Sequence, residues 1–100
     1  MLGITLTSPD PNTIMVLDPH LPRDAQRIEV AAQVQADATR VEFMVDGQVW
    51  ASVSTMPYHA WWVIQPGTHR IEAVAVMRDG TRIASEPVVV EVEEADGTQF

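Results

Sequence analysis

Neither cysteine nor lysine occurs among these 100 residues. Without cysteine there is no disulfide and no thiolate metal site. Without lysine, Schiff-base chemistry and any lysine-activated serine are excluded. Six arginines supply all the fixed positive charge against 14 acids, a formal net charge of −8. That balance repels a nucleic-acid backbone, whose affinity for proteins comes largely from cationic contacts. It disfavours anionic lipid surfaces for the same reason. The acidity serves solubility, with a docking face for a basic partner as the alternative. No apolar run approaches the ~20 residues of a membrane span, so no direct membrane insertion is expected. A secretory leader is not visible either: Met1-Leu2-Gly3 lacks a basic start, and Thr5, Thr7, Ser8, Pro9 and Asp10 interrupt the apolar stretch. In an export-directed chain such a leader would lie upstream.

What is present is a period of two. Ile4 to Ser8 alternates and stops at Pro9-Asp10-Pro11-Asn12, and Thr13 to Leu17 is a short apolar segment closed by Asp18-Pro19. The stretch His20 to Gln26 reads as a loop. From Arg27 to Gln35, Ile28, Val30, Ala32 and Val34 share one strand face. Asp24 to Ala38 is rich in alanine, a strong helix former, but this strict alternation argues for a strand. Val41, Phe43 and Val45 alternate with polar neighbours up to Asp46-Gly47, a two-residue hairpin signal. The chain returns through Gln48 to Ser54, breaks at Pro57 and extends again from Tyr58 to Ile64.

After Pro66-Gly67, His69, Ile71, Ala73 and Ala75 line one face of a long strand, and Val74 and Val76 on the other face imply partial cover there. Asp79-Gly80 marks a second hairpin into Thr81 to Ser85, and Val88, Val90 and Val92 form a last alternating set. The expected fold is all-β: an immunoglobulin-like antiparallel sandwich of seven to eight strands over residues 1–93, with a flexible tail over 94–100.

Few residues offer chemistry. His20, His59 and His69 stand outside any nucleophile motif, so no catalytic residue is assigned and the chain is read as no enzyme. A hydrolase assembled around His59 or His69 is the reading from the opposite class. No cofactor or metal is expected: Asp10 with Asn12, and Asp79 near Glu86, suit turns better than calcium. His69 has the phase of Ile71, which suits a hydrogen-bonded structural histidine at the sandwich end. Trp61 and Trp62 are adjacent, so in a strand they face opposite sides. One ring can join the core; the other is covered by a loop or neighbouring domain, or lies open. With Trp50 and Tyr58 nearby, Trp50, Tyr58, Trp61 and Trp62 are the candidate ligand- or partner-binding residues.

The order of these signals resembles a known family. Ile4-x-x-x-x-Pro9 leads to Val16-Leu17-Asp18-Pro19 and Gln26-Arg27-Ile28. Val41-x-Phe43-x-Val45-Asp46-Gly47 follows, and then Trp61-Trp62-x-x-x-Pro66-Gly67-x-His69-Arg70-Ile71. This is similar to the C-terminal domain of bifunctional, 1C-type penicillin-binding proteins, with Phe43 standing where that family usually has tryptophan. The resemblance implies a periplasmic or otherwise extracytoplasmic accessory module in a longer membrane-anchored chain, one that takes part in peptidoglycan synthesis without catalysing it. The partners it implies are domains of the parent enzyme or an envelope protein. A peptidoglycan- or carbohydrate-binding module using an exposed tryptophan is the competing expectation.

Overall fold

Alternating apolar and polar residues make strands with one face to bury. The computed structural model of the chain, which describes residues 3–35 and 37–94, is built almost wholly of them. In chain order they are β1 (Ile4–Ser8), β2 (Ile14–Leu17), β3 (Arg27–Val34), β4 (Ala38–Val45), β5 (Gln48–Val53), β6 (Tyr58–Val63), β7 (Gly67–Met77), β8 (Arg82–Ala84) and β9 (Val88–Glu94). The only helical piece among the described residues is a 3₁₀ turn at Arg23–Ala25. Ala31 and Ala32 lie in β3, where burying one face outweighs intrinsic helix propensity. No helix among the described residues is long and apolar enough to cross a membrane.

The strands form two sheets. One has the order β1-β3-β6; the other runs β2-β9-β7-β4-β5, with β8 also paired to β7. Nine strands exceed the seven to eight expected from the sequence. The short segments β2 and β8 both pair as strands, β1 joining the small sheet and β2 the large one, and β8 only three residues long. β8 pairs with β7 at Val74 to Val76, and β9 pairs with the same strand from Gly67 to Ile71. Ser85 lies at the handover, buried, its hydroxyl accepting from the Ala73 N–H and donating to the Glu86 carbonyl. The sandwich is antiparallel except for β2, which runs parallel to β9.

The core lies between the inner faces. Phe43 and Val41 from β4, Val30 from β3, Ile71 from β7 and Val90 from β9 are fully enclosed, and Trp62 packs among them from β6. The hairpin between β4 and β5 follows its sequence signal: Asp46 and Gly47 hold φ of 54° and 83°, both positive as a tight two-residue turn requires.

Val74 and Val76 on the outer face of β7 are also buried, and an ionic lid accounts for it. Glu42 is paired across from Val74, and Arg40 and Arg82 flank Val76. Glu42 binds both arginines. The charges meet over the valines, leaving the aliphatic stems to shield apolar surface. Arg82 most of all, with Arg40, holds the Glu42 carboxyl below its ordinary pKa despite its burial. The tail anticipated over 94–100 falls outside the described residues from 95 onward; Glu94 is the last residue of β9 and pairs with Leu17.

Candidate functional site

Two segments of the chain, the turn at Asp46 and the stretch from Trp62 to Arg70, meet at one end of the sandwich. Asp46, at the β4–β5 turn, accepts from His69 Nδ1 at 2.7 Å and from the Arg70 backbone N–H at 2.9 Å. The Asp46 N–H in turn donates to the Arg70 carbonyl at 2.8 Å. His69 Nε2 faces the carbonyls of Gln65 and Pro66 at 2.9 and 3.2 Å. The ring meets Trp62 edge to face, with centroids 5.1 Å apart.

This geometry fixes the charges. Burial alone would lower the His69 pKa, but the bond to Asp46 and those to the two carbonyls outweigh it and hold the imidazole above its ordinary value. The Arg70 N–H first, then His69, keep Asp46 below the usual carboxylate range. Both ring nitrogens are committed to acceptors, so His69 is a strut and offers no free base to a nucleophile.

The four aromatic candidates do not converge. Trp62 is enclosed in the core, as one of the adjacent pair must be. Trp50 lies on edge strand β5, 39% exposed, and shares with Trp62, His69 and Gln65 a shallow depression of about 250 Å³. A register shift explains its position. Phe43 pairs with Ala51 but Met44 pairs with Val49, so Trp50 is the extra residue of a bulge. Tyr58 lines a different depression, of about 470 Å³, with Val34, Gln35, Met56 and Pro57.

Trp61 stands alone on the outer face of the small sheet, 50% exposed. The Arg27 guanidinium sits 5.6 Å from its ring centroid, a cation–π contact. Beside it His59 Nδ1 lies 2.8 Å from Glu29. That surface can stack a planar or apolar group and hydrogen-bond at its rim.

Among the described residues no three potential metal ligands cluster. Asp79 accepts from the Thr81 N–H at 2.9 Å in a turn of its own, and Asn12 adopts a left-handed φ of 62°. Turn geometry accounts for both.

The profile of the Penicillin-Binding Protein C-terminus Family matches residues 3–77. The chain belongs to this family. Every motif that suggested the resemblance lies inside the matched span, and Asp46, Trp62 and His69 now have a common structural purpose at one end of the fold. No curated protein matches the chain.

Among solved structures, the fibronectin(III)-like modules of Clostridium thermocellum CbhA superpose with a TM-score of 0.76 at 26% identity, over 93% of this chain and 99% of that one. Parabacteroides merdae β-glucuronidase gives 0.65 at 16% identity, over 99% of this chain and 12% of the enzyme. Bacteroides ovatus SGBP-B, solved with a mixed-linkage heptasaccharide, gives 0.62 at 15% identity, over 96% of this chain and 25% of that protein. The last two share the fold alone. An immunoglobulin-like sandwich belonging to a penicillin-binding C-terminal family is thus an accessory type of domain.

Two features escaped the sequence reading. The Asp46–His69 bond spans 23 residues, and only the shared family motif could have linked its ends. The other is an exposed apolar set on the large sheet, Ile14 at 63%, Val16 at 57% and Val89 at 46%. Val89 alternates with buried valines, which marks it as outward-facing, but Ile14 and Val16 lie in an apolar run with no polar residue to set the phase.

Proposed function

We propose that this chain is a non-catalytic accessory module of a peptidoglycan-synthesis enzyme, acting outside the cytoplasm by protein contact or by positioning the parent's domains. One observation carries the reading: the buried polar groups are all partnered within the fold while large apolar side chains remain outside. Among the described residues no buried side-chain polar atom lacks a partner, and the best-placed histidine is locked on both nitrogens. Ile14, Val16, Met56 and Trp61 are each at least half exposed. Family membership supports the extracytoplasmic, membrane-anchored setting.

Deleting the domain from its parent enzyme tests this. Penicillin labelling of the transpeptidase persists, while glycan synthesis or co-purification with envelope partners falls. Loss of neither, or muropeptide turnover by the isolated chain, refutes the proposal.

A glycan-binding role is favoured by Trp61, half exposed beside the polar pair His59 and Glu29. Arg27 over the ring competes for the surface a sugar would stack upon. Muropeptide titration monitored by tryptophan fluorescence decides it. A saturable change abolished by Trp61→Ala supports binding, and no change at millimolar ligand rules it out.

A further inference from the structure

The outer face of β2 and β9 sets exposed apolar side chains beside acidic ones. Ile14 and Val16 project from β2 beside Glu91 and Glu93 of β9, to which they are paired in register. Val89 continues the apolar row, and Thr68 of β7 lies across from Glu91. All six side chains are exposed. Glu91 and Glu93 have no cationic partner among the described residues, whereas Glu72 and Glu94 each have one and Glu42 has two. The nearest base on this face is Arg70, opposite Val89 and engaged with Glu72.

β2 is also a terminal strand. The Glu91 N–H donates to the Thr13 carbonyl at 2.9 Å. In a parallel ladder alternate residues turn to the same neighbour, so the backbone groups of Ile14 and Val16 face the open edge. Natural sheets guard such edges with charge, proline or bulges. β2 is short, at four residues, but reads Ile-Met-Val-Leu and carries no charge, proline or bulge.

Resting on the accessory reading above, we propose that the β2 edge and its acid-rimmed apolar row dock an extended protein segment that alternates apolar and basic residues and adds as a further strand. Backbone hydrogen bonds at Ile14 and Val16 give affinity; Glu91 and Glu93 select lysine or arginine. Charge decides among the possible occupants. A second copy would bring its own Glu91 and Glu93 toward these, and nucleic acid or an anionic bilayer would meet a surface of its own sign.

The test uses the whole chain and a short peptide alternating valine and lysine, titrated by amide NMR, with a valine–glutamate peptide as control. The lysine peptide shifts resonances of β2, β9 and Thr68, and the control does not. Val16→Pro, which removes an edge donor without touching the β9 ladder, weakens binding about tenfold or more, consistent with losing at least one backbone hydrogen bond and the strand geometry. Glu91→Gln with Glu93→Gln weakens it roughly threefold to tenfold and flattens its salt dependence.

Shifts scattered over the whole acidic surface, unchanged binding by Val16→Pro, or sedimentation showing dimers through β2 would each overturn the proposal. Val16→Pro in the parent enzyme separates the two claims. If domain deletion has an effect and Val16→Pro has none, this surface fails and the accessory role stands. If deletion has no effect, the accessory role itself falls.

Discussion

Replacing Asp46 by asparagine isolates the charge in the clamp. Asparagine keeps the size, tolerates the positive φ of 54° at this turn, and still accepts from the Arg70 N–H through its carbonyl oxygen. What is lost is the carboxylate facing His69 at 2.7 Å. A hydrogen bond to a charged group contributes about 1.5–3 kcal/mol. Asp46 is half exposed, its side chain at 50% and that of His69 at 13%, and solvent screening brings the expected loss down to about 1–1.5 kcal/mol.

The pH dependence gives the decisive sign. His69 has a raised pKa in the fold, so its contribution is complete below the ordinary value of about 6.5 and is lost as pH rises through the folded value. Asp46 has a lowered pKa, so its contribution is present above about 3.9 and is lost as pH falls through the folded value. The pair therefore stabilises most between those limits. Thermal melts at about pH 5.5 should show Asp46→Asn lower in Tm by about 4–12 °C. At alkaline pH, above the folded His69 value, the gap should shrink to about a third or less. An equal gap at both pH values, or wild-type His69 titrating below its ordinary value by NMR, refutes the reasoning.

Phe43→Ala removes a ring with no solvent exposure and should cost about 3–5 kcal/mol by urea denaturation, a large share of the ~5–15 kcal/mol typical of a domain. Glu42→Gln discharges the lid over Val74 and Val76 and should lower stability by about 1–2 kcal/mol at neutral pH. Because the Glu42 pKa is lowered, the wild-type advantage should vanish as pH falls through the folded value, which melts over a descending acid pH series will show. Gly47→Ala meets no atom within 4 Å but must hold φ of 83°, so its cost of about 1 kcal/mol should appear entirely as backbone strain, with the hairpin amide shifts retained.

Local pattern carried most of the fold into view. Alternation from Ile28 to Val34 and from Ile71 to Ala75 placed the buried faces, because one-sided burial imposes a period of two whatever the partner strand. Asp46-Gly47 marked its hairpin since few other pairs accept two positive φ values. Pairing between distant strands was not legible. Nothing in Ile14 to Leu17 says that β2 leaves the small sheet and runs parallel to β9, and nothing in Arg82 says that it closes over Val74 from a strand 40 residues after Glu42. The aromatic site divided for the same reason. Trp50, Tyr58, Trp61 and Trp62 are near in sequence, yet a bulge, a sheet face and a strand end divide them: Trp50 shares a depression with the buried Trp62, while Tyr58 and Trp61 lie elsewhere.

The parallel pairing of β2 with β9 has a mechanical side. Four residue pairs, Ile14 with Glu91 through Leu17 with Glu94, join a strand near one terminus to a strand near the other, both pointing the same way. A pull that draws the chain back from Ile14 and forward from Glu94 slides the two strands along each other. Every bond between them is then loaded together, instead of parting one by one as in a peeled hairpin. A tether of this kind yields abruptly at a threshold force, and a further strand seated on the free side of β2 would raise that threshold.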